Sequence, residues 1–176
     1  MNQLTKFTLT IGGVLLLLAL NACRYPGTGT DPDRIVAKTA VKIADFTPPP
    51  GYEPDYGLHA LGYTSVAYTS SNRGQLYLVQ SEAEVDGAAL EEALGEMVPG
   101  YVDEDNNLAV VSQQLVTIRQ QEVTMIISEG TGWEDGVMRQ ATAVFRGKEG
   151  PALLILREPV ALWDDTAVAA FLASMR

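Results

Sequence analysis

Residues Leu108–Arg157 read LAVVSQQLVTIRQQEVTMIISEGTGWEDGVMRQATAVFRGKEGPALLILR, and this stretch decides the fold. It contains four runs rich in β-branched and apolar residues: Leu108–Ile118, Glu122–Ser128, Val137–Arg146 and Ala152–Arg157. Such residues suit a pleated, half-buried surface, so each run is expected to be a strand. Arg119-Gln120-Gln121 splits the first pair, and Gly147-Lys148-Glu149-Gly150 is a hairpin loop joining the second. Between the pairs lies the glycine-rich segment Glu129–Gly136, which carries Trp133. Short links of this kind join antiparallel neighbours, because a parallel connection needs a longer crossover.

Upstream, Gly62–Ser70 and Gly74–Ser81 form a further hairpin around Ser71-Asn72-Arg73-Gly74. A two-residue turn at Asn72-Arg73 and a four-residue loop at 71–74 imply the same register. Tyr68 then faces Tyr77 and Val66 faces Val79, an aromatic and β-branched ladder on one face. The period changes over Val85–Val98, where Val85, Ala89, Ala93 and Met97, with Leu90 and Leu94, recur at helical spacing. Asp86 is its expected N-cap, and Pro99-Gly100 ends it. A closing helix carries the stripe Val168, Phe171, Leu172 and Met175, capped by Asp164 and stapled by Trp163 onto Val168. Arg34–Phe46 holds either the first strand or a short helix. The prolines of Thr47-Pro-Pro-Pro-Gly-Tyr52 keep the chain extended there. The class is therefore α+β. One domain over 34–176 has a mainly antiparallel sheet of about six or seven strands, covered by two helices in an α/β/α sandwich.

The Phe46-Thr-Pro-Pro-Pro-Gly-Tyr52 entry and the Trp163-Asp-Asp and Phe171-Leu-Ala-Ser-Met175 close are similar to those of the PsbP-like sandwich family. That resemblance covers roughly residues 44–176 and implies an extracytoplasmic accessory protein that binds or assists other proteins. It carries over no catalytic residue.

The first 22 residues resemble an export signal. Met1–Lys6 is positively charged, and an apolar run from Phe7 to Leu20 follows. About 20 mostly apolar residues are needed to span a bilayer as a lasting helix, so this shorter run fits a cleaved signal better. It ends in Leu20-Asn21-Ala22-Cys23, which resembles the lipobox of bacterial lipoproteins. The resemblance implies a diacylglycerol thioether on Cys23 and cleavage before it. Cys23 is the only cysteine, so no intramolecular disulfide accounts for it. Residues 23–33, rich in Pro, Gly, Thr and Asp, then form a tether. The expected location is the cell envelope, lipid-anchored on the outer side of a membrane.

The full chain has a formal charge of −10. Removing residues 1–22 takes away one charged side chain, Lys6, and leaves the remainder still more negative. Such a surface repels phosphate backbones and disfavours nucleic acid. Anionic headgroups would repel it too, so acyl chains must hold it to the membrane.

Candidate chemistry is sparse. His59 is the only histidine, which leaves no Cys/His set for a zinc cluster and no nucleophile elbow around Gly57-Leu-His-Ala60. Asp103, Asp105 and Asn107 match the first, third and fifth positions of a calcium loop. Leu108 occupies the glycine position, and Gln114 the closing glutamate. An acidic turn explains the same letters. Trp133 is either a partner-contact anchor or a loop residue folded onto the sheet. Glu134, Asp135, Asp164 and Asp165 are carboxylates of the type that supplies an acid/base pair, and turns and caps use such residues as well. No cofactor is expected. The leading expectation is a non-enzymatic binding or accessory lipoprotein for a protein or small ligand. The alternatives are a hydrolase using carboxylates or His59, and a carrier of an apolar ligand in a cavity lined by Tyr68, Tyr77, Leu94 and Phe171.

Overall fold

The computed structural model describes residues 32–99, 101, 108–131 and 136–176. Among them are seven strands: β1 (Tyr52–Ala60), β2 (Tyr63–Ser70), β3 (Gln75–Ser81), β4 (Leu108–Ile118), β5 (Gln121–Thr131), β6 (Val137–Arg146) and β7 (Pro151–Pro159). They make one sheet in the order β1-β2-β3-β7-β6-β5-β4, with every neighbouring pair antiparallel. The α+β class and the antiparallel sheet agree with the expectation.

The last strand in sequence occupies the middle of the sheet because it is apolar on both faces. Ala152, Leu154 and Leu156 bury on one side, Leu153 and Ile155 on the other. A continuous apolar run bounded by turns suits such a two-sided burial.

Among the described residues three α-helices rather than two cover the sheet: α1 (Pro32–Ile43), α2 (Gly87–Met97) and α3 (Asp165–Ser174). The Arg34–Phe46 segment, open between strand and helix on sequence, is mostly α1. Its buried residues Val36, Thr39, Ala40 and Ile43 recur at helical spacing, and Asp33 and Lys42 suit the two ends of the helix dipole. The buried Thr39 hydroxyl donates to the Ile35 carbonyl at 2.8 Å. On one face α1 and α3 enclose Val66, Tyr68, Leu76, Leu154, Phe171 and their neighbours. On the other, α2 packs Leu90 and Leu94 against Tyr77, Val79 and Ile155. Both expected caps are present. Asp86 accepts from the Ala89 N–H at 3.0 Å, and Asp164 accepts from Thr166 and Ala167 at 2.8 and 3.2 Å. Trp163 packs half-buried against the same core as Val168.

The β2–β3 register differs by one residue from the expected one. Tyr68 pairs with Leu76, Ala67 with Tyr77, Val66 with Leu78 and Ser65 with Val79. The loop is the cause. The Arg73 N–H donates to Ser70 O at 3.1 Å, the Ser70 N–H to Gly74 O at 2.9 Å, and Arg73 has φ +68°. This is a three-residue loop with a left-handed closing residue, and its odd count shifts the register that two- and four-residue loops share. A one-residue slip reverses the faces. Tyr68 therefore buries under α1 and α3, and Tyr77 under α2. For the same reason Tyr68, Tyr77, Leu94 and Phe171 do not line one cavity, because two lie on each side of the sheet.

β1 was not legible beyond Tyr52, since Pro54, Asp55 and Gly57 discourage a strand. It is an edge strand with an irregularity between Pro54 and Tyr56, the place where such residues are tolerated. Two-residue turns at Leu61-Gly62 and Arg119-Gln120 have positive φ at both positions, so Gln121 belongs to β5 and not to the turn. Among the described residues no helix is long and apolar enough to cross a membrane. The proposed signal, Cys23 and nearly all of the tether lie outside the described residues.

Candidate functional sites

Antiparallel pairing brings the β1–β2 turn, the end of β3 and the β6–β7 loop to one rim of the sheet. There His59, Glu82 and Glu149 converge, each offering a ligand atom within 4.8 Å of the others. Buried residues hold two of the three from below. The His59 Nδ1 and the Thr64 hydroxyl are hydrogen-bonded at 2.8 Å. The Gln80 amide donates to Glu149 Oε2 at 3.4 Å, and its carbonyl accepts from the Glu149 N–H at 3.1 Å. Thr64 and Gln80 are themselves buried cross-strand partners. Glu82 is placed by its own backbone, which donates to Gly62 O at 2.8 Å, while His59 Nε2 lies 3.8 Å from Glu82 Oε1. The loop approaches this closely because of its glycines. An added Cβ on Gly150 would stand 2.0 Å from Ser81 O, and one on Gly147 2.1 Å from Gln80 Oε1.

The nearby cations are turned away from this cluster. The Lys148 ammonium pairs with Asp45 at 2.8 Å and donates to Val41 O at 2.9 Å, and Arg146 pairs with Glu84. Two carboxylates and an imidazole thus share a rim that these two cations do not neutralise. An imidazole with two carboxylates is a donor set that can hold a cation, and the hydroxyl that His59 meets, on Thr64, is buried.

A second site lies at the opposite edge of the sheet. β4 contains no charged residue and no proline across LAVVSQQLVTI, and Leu115, Val110 and Val111 are 68%, 59% and 52% exposed. Its partner edge, β1, has Glu53, Pro54 and Asp55, an irregularity, and α1 packed on it. Charges, proline and bulges are the usual devices that stop an edge from pairing with another chain. β1 has all of them; β4 has only a register shift between Val110 and Ser112. α2 lies over β2, β3 and β7, so Leu115, Val110 and Ile126 face out on the side it leaves bare.

The remaining candidates separate. Asp164 is the α3 cap, and Asp165 accepts from the Trp163 indole at 2.7 Å, so both have structural roles. Asp103, Asp105, Asn107, Trp133, Glu134 and Asp135 lie outside the described residues. Tyr52 donates to Glu158 Oε1 at 2.8 Å beside a shallow groove lined by Pro49, Ser70 and Leu162. Burial first, then that carboxylate, raises the Tyr52 phenol well above its ordinary value. Under α2, the buried Arg157 Nε–H donates to the Gln140 side-chain oxygen Oε1, and the guanidinium stacks 5.1 Å over the Tyr101 ring, whose hydroxyl donates to Glu91 at 2.9 Å.

The expectation that the lone histidine leaves no Cys/His set for a zinc cluster weighed only cysteine and histidine as ligands. Sequence reasoning missed a mixed set, because Glu82 and Glu149 lie 23 and 90 positions beyond His59. Counting strand ends would have found them, since the Ser81-Glu82 step and the Gly147–Gly150 loop fall at the rim that the β1–β2 turn occupies. No protein-family model matches the chain, and no curated protein matches it.

Proposed function

We propose that the chain is a non-enzymatic, extracytoplasmic accessory lipoprotein, held to a membrane through Cys23, which binds a partner protein by accepting one of its strands along β4. The single observation that carries this is the contrast between the two sheet edges: β1 carries charges, a proline and an irregularity, whereas β4 is uncharged, lacks proline and has no outer strand among the described residues. Strand addition supplies affinity from main-chain hydrogen bonds and specificity from alternate side chains, here Leu115 and its neighbours. The resemblances of Leu20–Cys23 to a lipobox and of residues 44–176 to PsbP-like proteins support the same assignment. So does an α/β/α arrangement whose first described helix begins at Pro32, shortly after the proposed anchor.

The occupant is a different protein and not a second copy. A chain of formal charge −10 repels itself. The regular part of the edge, Ser112–Ile118, is also not self-complementary: paired antiparallel about Leu115, it would set Ser112 against Ile118 and Gln114 against Val116.

The test is a photo-cross-linking residue at Gln113 in the full-length lipoprotein in its own membrane, with one at Glu53 on β1 as control. A heterologous adduct of defined mass at 113, absent at 53 and lost on Leu115→Lys, is the expected result. Leu115 is exposed, so that substitution leaves stability within about 0.5 kcal/mol. An adduct of twice the chain's own mass makes the occupant a second copy, and no adduct at 113 removes the docking edge.

A further inference from the structure

We propose that His59, Glu82 and Glu149 form a binding site for a divalent first-row transition cation of the zinc type, at the rim of the sheet and independent of the β4 edge. The ligand chemistry selects the cation. An imidazole nitrogen with two carboxylate oxygens suits zinc and its neighbours, whereas calcium and magnesium take all-oxygen sets. Three protein ligands leave a position for water, as in open zinc sites. The ligand atoms lie within 4.8 Å of one another, and side-chain rotation on this exposed rim brings them in to bonding distances of about 2.0–2.2 Å.

The supporting residues are what separate this cluster from a chance gathering of surface acids. Metal-ligating histidines are oriented by a hydrogen bond from the other ring nitrogen. Here Thr64 takes that role: with the proton on Nδ1, the ring donates to the Thr64 oxygen, and the Nε2 lone pair points to the side where Glu82 stands. Gln80 holds the Glu149 side chain and its backbone N–H together. Thr64 and Gln80 are paired across β2 and β3 and buried, so His59 on the edge strand and Glu149 in the β6–β7 loop are each steadied by a residue fixed in the sheet. The neighbouring cations, Lys148 and Arg146, pair with Asp45 and Glu84 instead.

His59 is the only histidine in the chain, so its ring resonances report this site without ambiguity. The experiment titrates the full-length protein in mild detergent with zinc chloride. It follows the His59 ring signals by NMR and measures affinity by competition with a chromophoric chelator. The expected result is one ion per chain with saturating shifts of the His59 ring. His59→Ala, Glu82→Gln and Glu149→Gln each weaken binding at least about 10-fold. Thr64→Val, which keeps all three ligands, weakens it about 10- to 100-fold, as loss of a supporting hydrogen bond does. Glu84→Gln leaves it unchanged, and the amide spectrum of each variant reports that it is folded. Ring signals that do not move at saturating zinc, or an affinity that survives His59→Ala or Glu149→Gln, would overturn the site.

Discussion

Tyr68 and Tyr77 flank the β2–β3 hairpin and bury in different cores. Tyr68 meets Phe46 edge-on at 5.8 Å beneath α1 and α3, and Tyr77 meets Tyr101 at 5.2 Å beneath α2. Their partners are not shared, so their energies should add. Tyr68→Leu and Tyr77→Leu each cost about 1–3 kcal/mol by removing ring contacts. The double variant should differ from the sum by less than about 0.5 kcal/mol in urea denaturation. A coupling of about 1 kcal/mol, the size of a direct aromatic pair, would contradict the register.

That register marks the limit of what the sequence makes legible. Strand identity was readable over Leu108–Arg157, where apolar and β-branched runs alternate with turn residues, and both helix caps were readable at Asp86 and Asp164. The face of each β2–β3 residue was not. It depends on whether Arg73 closes a three-residue loop at φ +68°, and arginine gives no cue for a left-handed position. β1 was hidden for a related reason, since an edge strand tolerates Pro54 and Gly57, which would disqualify a central one. At the rim, His59 stood out by being alone. Its companions depend on which strand ends share a side of the sheet, and local spacing carries no trace of that.

Burial of the phenols makes stability fall at high pH. Burial pushes Tyr68 up to about 12 from its ordinary 10.0, and Tyr52 and Tyr56 are raised as well, Tyr52 also by Glu158. Above the unfolded value the unfolded chain releases protons that the folded chain retains, so unfolding becomes easier as pH rises. The contribution is complete below 10.0 and is lost as pH climbs through about 12. Tyr68→Phe keeps the ring and removes the titrating group. In denaturation curves collected across this range, it should lose stability less steeply than the parent chain. Equal slopes would mean that Tyr68 is not shielded.

Asp164 caps α3, and two substitutions separate its capping oxygen from its charge. Its carboxylate accepts from two backbone N–H groups in the first turn of α3. Asp164→Ala should cost about 1 kcal/mol, and Asp164→Asn, which caps comparably, should cost little. Thermal unfolding of the two variants measures the difference. An asparagine variant as unstable as the alanine one would mean that the charge, and not the capping oxygen, matters at this position.

Arg176 is tied to Asp45 through its backbone. The Arg176 N–H donates to Asp45 O at 2.8 Å and the Asp45 N–H to Arg176 O at 3.0 Å, joining the exit of α1 to the residue that follows Met175 after α3. Beside this pair Met175 is buried with Phe171 and Leu172, while Arg176 is exposed. Side chain and backbone therefore make opposite predictions at adjacent positions. Arg176→Ala keeps the paired amides and should change stability by less than about 0.5 kcal/mol. Met175→Ala opens a cavity and should cost about 2–5 kcal/mol. Deleting Arg176 outright removes both hydrogen bonds, each worth about 1 kcal/mol, and should destabilise the chain where the alanine substitution does not. Chemical denaturation of the three variants distinguishes these cases. If the deletion were as harmless as Arg176→Ala, the paired amides would add nothing to the hold that the apolar face of α1 and the Lys148 contacts to Val41, Ile43 and Asp45 already provide.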